Sequence, residues 1–432
     1  MYKKYFFRPI QHGLTTEFTP LNQPFTLSSW GTKNMRIFES SAKKRWGYNT
    51  EDRDVGVAVH NIVLYQTTGG TRHTLYLTGT NLCVKKTSTS ETWAYGTEAY
   101  TTGTVTNIQN NTPGAGQCTI TGNGTTWTAA MVGDEFILNL AADYTANAEP
   151  NTKWATIASR SGNTSIVLDQ NYGGTTGAMS NNYIIRRIYS TPTNERWSWA
   201  VVNDIFVFTN GNTNVQQWSG AYASDLETGA TTATKARYCI EYANRLFILD
   251  YKTSRNPLAL GWSKEGDPTN WTDSTSGELE MLDSAGYGMG LGKSGTGLVV
   301  FQEDLINFYS RTGIATSPIV RTNQKMGIGC SAPYGIIQVR GSCVFMGRED
   351  FYVLDGDYPQ PIGAKIRDKF FSIVGRTERK KVFGWHIPEL NEAIWVANTD
   401  DGKLAFCWDY KRDEWNVHSF NADIVSIGVG AT

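Results

Sequence analysis

One pattern constrains this chain more than any other: a short, strongly apolar run that recurs behind a turn. The runs sit in WSWAVVNDIFVFTNGNTNVQQW, RYCIEYANRLFILD, GMGLGKSGTGLVVFQEDLINFYS, GIIQVRGSCVFMGREDFYVLDG and FGWHIPELNEAIWVANTDDGKLAFCWD. In each, an apolar strand meets a turn of Asn, Asp, Gly or Arg, and a second, more apolar strand follows. Taking the first apolar residue of the second strand as anchor gives Ile205, Leu246, Leu298, Cys343 and Ile394, which stand 41, 52, 45 and 51 residues apart. Repeats of four strands in about 40–50 residues are the signature of β-propeller blades.

An earlier copy, HTLYLTGTNLCVKK, anchors on Leu75, 130 residues before Ile205. The excess has its own texture. From about residue 100 the chain reads GTVTNIQNN, CTITGNGTTWTAAMVGDEFIL, KWATIASRSGNTSIVLDQNYGG and YIIRRIY, with Gly/Asn turns and little charge. Five short strands in about 90 residues predict a small barrel or sandwich. Excising it returns the Leu75-to-Ile205 gap to one blade length. The predicted organisation is an N-terminal arm over 1–50, a first part of the propeller over 51–99, an inserted small β domain over 100–188, and the rest of the propeller over 189–432. The fold class is all-β.

This gives six blades. A seventh made from VGVAVHNIVLYQ is the competing count. The apolar, Gly-rich segment from Asp423 to Val429 is expected to join the blade containing Leu75, since sharing a blade between chain ends closes the ring. One stretch has helical spacing, with Ile362, Ile366, Phe370 and Ile373 on one side of PIGAKIRDKFFSIVGRTERK. A short surface helix between two blades is expected there.

Composition agrees with many short strands. The charged fraction is 18%, below the usual ~25%, and 43 Gly, 14 Trp, 21 Tyr and 18 Phe suit turns and half-buried pleated surfaces. The formal net charge of −1 lacks the basic surface of a protein that grips phosphates. Lys43-Lys44-Arg45 and residues 376–381 (RTERKK) are the dense basic runs, read first as solvated faces and otherwise as contacts to a polyanion or an acidic partner. The Cys residues are Cys83, Cys118, Cys239, Cys330, Cys343 and Cys407, without any C-x-x-C pair. They read as buried free thiols of a chain assembled in a reducing cytosol, with no metal site. Neither a signal peptide nor a membrane span is expected.

No catalytic residue, cofactor site or metal site is predicted. The chain has no G-x-S-x-G, H-E-x-x-H or Walker loop. GMGLGKSGTG at 288–297 lacks phosphate-loop spacing and reads as a strand turn. His12, His60, His73, His386 and His418 are isolated from one another in sequence, and His386 reads as a packed or partly exposed strand residue. A propeller glycosidase needs paired carboxylates, for which Asp250, Glu265, Asp267, Asp283 and Asp355 are candidates, all in turn contexts. SKEGDPTNW at 263–271 departs from the Asp-box of sialidase-type propellers and reads as a rigid Pro turn closed by Trp packing.

The combination NRLFILD (244–250), LGWS (260–263) and GDPTNW (266–271) resembles the signature of propeller-containing tail hub or nozzle proteins of short-tailed bacteriophages, including packaged-DNA stabilisation proteins. KKRWGY (43–48) is similar to a basic turn near their start, although Trp46 stands where Pro is usual. GNGTTW (122–127) followed by MVGD (131–134) resembles small β modules embedded in phage tail proteins. The resemblance covers about residues 43–410 and implies a non-enzymatic virion protein. It implies a ring, commonly a hexamer, below portal and adaptor. Such a ring continues the DNA channel, retains packaged genome and passes it at ejection. Contact with double-stranded DNA would be transient and non-specific, and a near-neutral wall suits passage. The alternatives are a propeller that binds or hydrolyses host surface glycan, and a collar or fibre-attachment component.

Overall fold

The computed structural model describes residues 35–38, 41–44, 59–86, 92–95, 99–144, 152–192, 195–220, 223–226, 235–252, 254–282, 286–400 and 402–419. They form six four-stranded antiparallel sheets arranged as a six-bladed propeller. Blade I runs from Val59–Gln66 through Arg72–Thr78 and Leu82–Lys86 to Thr92–Tyr95. Blade II comprises Ser198–Val202, Ile205–Thr209, Gln216–Trp218 and Ser224–Asp225. Blade III comprises Ala236–Tyr242, Arg245–Tyr251, Asn256–Trp262 and Gly277–Glu280. Blade IV comprises Gly288–Ser294, Gly297–Gln302, Leu305–Ile314 and Ser317–Met326. Blade V comprises Ile337–Val339, Ser342–Met346, Phe351–Asp355 and Tyr358–Pro361. Blade VI comprises Phe383–Ile387, Glu392–Thr399, Gly402–Asp409 and Glu414–Ser419. Every blade is a simple meander.

All six anchors lie on second strands. The reason is burial on two sides. The second strand has a neighbouring blade over each face, so its sequence becomes a continuous apolar run instead of an alternating one. All seven residues of Arg245–Tyr251 are buried. A core sits between each pair of consecutive blades from I to VI. The II–III core joins Val207 to Leu246, the III–IV core Phe247 to Val300, the IV–V core Phe301 to Phe345, and the V–VI core Phe351 to Trp395. First strands of successive blades from II to VI touch one another, so they line the axis.

The competing seventh blade is not formed. VHNIVLYQ is the first strand of blade I, whose four strands among the described residues all fall within Val59–Tyr95. The 423–429 segment expected to complete that blade lies outside the described residues. So does the N-terminal arm, apart from a hairpin of Met35–Phe38 with Ser41–Lys44. The expected helix is real but short, Arg367–Ile373 followed by Arg376–Arg379. Its apolar side is not at the surface: Ile366 and Phe370 are fully buried in the V–VI core.

Between blades I and II the chain builds an eight-stranded sheet where five strands were expected. Its strands are Ala99–Tyr100, Thr104–Asn110, Cys118–Asn123, Glu135–Leu138, Ala155–Gly162, Ser165–Leu168, Gly177–Asn181 and Tyr183–Arg186. The sheet folds over at Ala155–Gly162. Ala155 and Thr156 pair with one half through Phe136 and Glu135, while residues 157–162 pair with Ser165–Leu168 in the other. One core, including Ile120, Trp127, Phe136 and Tyr183, fills the interior. The GNGTTW segment turns tightly there: Thr125 Oγ1 donates to the Asn163 carbonyl at 2.6 Å, and a Cβ on Gly122 would meet the Thr125 side chain at 2.5 Å.

Candidate functional site

The residues of the 244–271 signature form one clamp. Asn244 and Ala243 hold φ of +57° and +51° in the two-residue turn between the first two strands of blade III, a conformation Asn tolerates and right-twisted hairpins need. Gly266 donates its N–H to the Asn244 carbonyl at 2.7 Å, which lays the GDPTNW loop against that turn. Asp267 caps the loop by accepting from the Thr269 N–H at 3.0 Å, and Trp271 Nε1 donates to the Pro268 carbonyl at 2.8 Å. Arg245 lies beneath with 1% exposure. Its Nη1 donates to the carbonyls of Ser263 (2.9 Å) and Thr275 (2.8 Å), and its Nη2 to that of Ala315 in blade IV (3.2 Å). On the other side, Asn203 of blade II donates to the Gly266 carbonyl at 2.9 Å. The segment therefore ties three blades together.

The acids considered for hydrolysis are occupied separately. Asp250 is buried and paired with Arg255 at 3.2 Å, and burial raises its pKa. Glu265 lies between Arg245 (3.5 Å) and Arg311 (3.4 Å). Asp267 serves the loop, Asp355 is exposed on the third strand of blade V, and Asp283 lies outside the described residues. The Gly-rich run at 288–297 is the first hairpin of blade IV. Among the described residues no group of His, Cys, Asp and Glu has metal-site geometry, and no helix is long and apolar enough to cross a membrane. All six Cys are free and buried.

The RTERKK run is largely consumed by local contacts. Arg379 donates to the carbonyls of Val374, Arg348 and Phe371, while Lys381 pairs with Glu378 and Lys380 with Glu303. Of the Lys43-Lys44-Arg45 run, the two Lys are in the short hairpin and Arg45 is outside the described residues.

One concave site lies on the propeller axis. A cavity of about 500 Å³ is lined by first-strand residues and the loops leading into them. It is bounded by His60 and Asn61 of blade I, Arg196 and Trp199 before and in blade II, and Tyr238 of blade III. Tyr334 and Ile336 close it before blade V, and Phe383 and Trp385 close it in blade VI. Its charges are arranged unevenly. Glu195 is held by Arg237, whose Nε donates at 2.9 Å, and by the Tyr334 hydroxyl at 2.5 Å. Burial alone would lower the Arg237 pKa, but Tyr238, Tyr334 and Glu195 outweigh it and raise it. Arg196, the next residue in sequence, turns the other way. Its Nη1 donates to the His60 carbonyl at 3.0 Å, and its guanidinium lies 3.6 Å from the centre of the Phe383 ring. It thereby joins blades I and VI at the axis. Burial lowers its pKa to about 10, so it remains charged at neutral pH.

Of the histidines the sequence singles out, His60 and His386 line this cavity, and the axial Arg and Tyr residues carry no motif. Tyr238 and Tyr334 are far apart in the chain, and only the ring brings them to 6.1 Å between ring centres. The one usable signal was position: each lies at the start of, or just before, a first strand.

No family model matches the chain, and no curated protein matches it. Solved structures resemble it weakly. The computationally designed Ika8 protein is 10% identical, with 87% of this chain and 91% of that one covered and a TM-score of 0.39. PorZ of the Porphyromonas gingivalis type-IX secretion system is 11% identical over 85% of this chain and 39% of its own, with a TM-score of 0.36. YCF48 bound to D1 peptide is 10% identical over 74% and 85%, with a TM-score of 0.30. At TM-scores this low none of the three carries an argument about function, and what the chain itself establishes is an all-β, six-bladed propeller with a small β domain inserted between its first two blades.

Proposed function

We propose that this chain is a non-enzymatic structural protein of a bacteriophage tail, one subunit of a ring below portal and adaptor. In this reading the ring is a hexamer that continues the DNA channel, retains the packaged genome and passes it at ejection. The subunits are made in the host cytoplasm and end in the virion.

The observation that carries the reading is the outer edge of blade IV. Ser317–Met326 is a ten-residue edge strand, and long edges with exposed apolar side chains are normally blunted or covered. Here Val320 is 51% and Met326 76% exposed. Among the described residues, seven of the nine exposed large hydrophobics fall between Leu279 and Tyr358, on blades III to V and the connections between them. Apolar side chains gathered on one sector are what a surface covered on assembly requires. The axial cavity is of small-ligand size, so the DNA path of such a ring runs between subunits. A net charge of −1 suits a wall that touches the duplex transiently and without sequence preference.

The test is the oligomeric state of the purified chain by negative-stain imaging and native mass spectrometry. Rings are expected, and Val320→Asp with Met326→Asp should release folded monomers. A wild-type chain that is monomeric at all concentrations, and absent from purified virions of the phage encoding it, sinks the reading. The axial cavity favours a second reading, a carbohydrate-binding propeller, because aromatic walls with a few polar groups suit a sugar ring. Glycan-array binding by the purified chain would support it.

A further inference from the structure

We infer that the axial cavity is a binding site for one compact organic carboxylate, held by the Arg196 guanidinium with the Tyr238 hydroxyl as second donor. The inference is independent of the tail reading, since a monomer and a ring subunit would bind alike.

The first support is an unbalanced charge. A cation drawn away from water is normally paired. The nearest acid in sequence, Glu195, is committed to Arg237 and Tyr334. Among the described residues Arg196 has a carbonyl and an aromatic face as partners, and no carboxylate. A ligand anion would supply the missing charge, and a guanidinium presents paired donors matched to a carboxylate.

The second support is a concentration of unused hydrogen-bonding capacity. Buried polar side chains nearly always have partners. His60 Nδ1, Asn61 Oδ1, Tyr238 Oη and Trp385 Nε1 are buried and have none among the described residues. All four residues line this one cavity. Tyr238 and Trp385 bring donors, and Asn61 and His60 offer acceptors for a ligand hydroxyl or amide. Burial pushes the Tyr238 hydroxyl well above its ordinary pKa, and burial with Arg196 nearby lowers His60 to about 4. At neutral pH one is therefore a neutral donor and the other a neutral ring.

The third support is size and wall chemistry. About 500 Å³ falls in the range of small-molecule sites. Trp199, Ile336, Phe383 and Trp385 give apolar walls for the body of the ligand. One enclosed cation matches one negative charge, which disfavours a polyphosphate or a nucleic-acid strand.

The test is isothermal titration of the full chain with glucuronate and benzoate against glucose and benzamide, their uncharged counterparts. At least one carboxylate should bind one per chain, at least tenfold tighter than its uncharged counterpart, and alter tryptophan fluorescence. Arg196→Gln should weaken that binding at least tenfold, and Tyr238→Phe severalfold at an unchanged melting temperature. Glucuronate binding would mark an acidic sugar, benzoate binding an aromatic acid. Because Arg196 also holds blade I, a misfolded Arg196→Gln chain would leave Tyr238→Phe and the charged-against-uncharged comparison to decide. Absence of binding by both carboxylates overturns the inference, as does equal affinity for the uncharged partners. Undiminished binding in a folded Arg196→Gln chain, or in Tyr238→Phe, overturns it too.

Discussion

Arg245 Nη1 donates to the carbonyl oxygen of Ser263 at 2.9 Å from within a strand in which every residue is buried. A guanidinium enclosed this way is stable because acceptors surround it, here the carbonyls of Ser263, Thr275 and Ala315 with the Glu265 carboxylate at 3.5 Å. Arg245→Ala leaves these groups without a donor and opens a cavity between blades III and IV. The expected loss is on the order of 3 kcal/mol, read as a lower denaturant midpoint. Arg245→Lys keeps the charge but cannot fork to several carbonyls, and should recover only part of the loss. A midpoint unchanged in Arg245→Ala would mean that the clamp is decorative.

Close approach of first strands around the axis makes a different demand. A Cβ on Gly384 of blade VI would stand 2.6 Å from Ile337 Cδ1 of blade V and 3.0 Å from the Ile394 carbonyl oxygen. Gly384→Val should therefore cost about 1–3 kcal/mol by overpacking. The same substitution at Gly375, which has nothing within 4 Å, should cost much less. Thermal unfolding of the two variants in parallel checks the contrast.

The thiols offer a chemical readout of the cores. Burial pushes Cys239, Cys330 and Cys343 up to about 12, and all six Cys are buried and free. Thiolate is the reactive form, so Ellman's reagent should find essentially no reactive thiol in the native chain. In denaturant it should find all six. A rapidly labelled native thiol would mean that one of the cores opens readily.

Acid should weaken the ring through His60. Folded, it takes up a proton only near pH 4, whereas its ordinary value is 6.5. Between those values the unfolded chain binds more protons, so stability falls as pH drops from about 6.5 toward 4. His73 and His386, both lowered by burial, act in the same direction. Asp250 and Glu414, raised by burial, oppose it at the acidic end. The contribution of His60 is the difference between wild type and His60→Gln in urea midpoint at pH 7 and pH 5. Equal pH dependence in the two would remove it.

What could be read beforehand, and what could not, follows from where the information lies. The second strands announced themselves because burial on both faces makes IFVF, LFIL and LVVF continuous, and that property is local. The turn at Asn203–Asp204 was equally local, since both residues hold φ above +50° or at it, a conformation for which Asn and Asp are suited. The eight strands of the insert were undercounted because Ala99–Tyr100 is two residues long and Gly177–Asn181 carries no apolar run. The helix was placed correctly, but its burial was not, because Phe370 packs on Phe351 and Phe406 from two different blades. The axial site was opaque for a stronger reason. Glu195 and Arg196 are neighbours in sequence with opposite partners, and only closure of the ring decides which acid meets which base.

The inserted domain enters and leaves the propeller on strands that pair with each other, Ala99 against Arg186 and Tyr100 against Ile185. Neighbouring strands are only about 5 Å apart. To the ring, an excursion of more than eighty residues therefore has the footprint of an ordinary hairpin. Beyond that pair of strands the module also meets the returning chain where the Ile188 N–H donates to Asp134 Oδ1 at 3.1 Å, so a module exchanged or enlarged at its far end asks little refitting of the blades. The stem is a point at which a lineage can vary what the protein carries while holding constant what carries it.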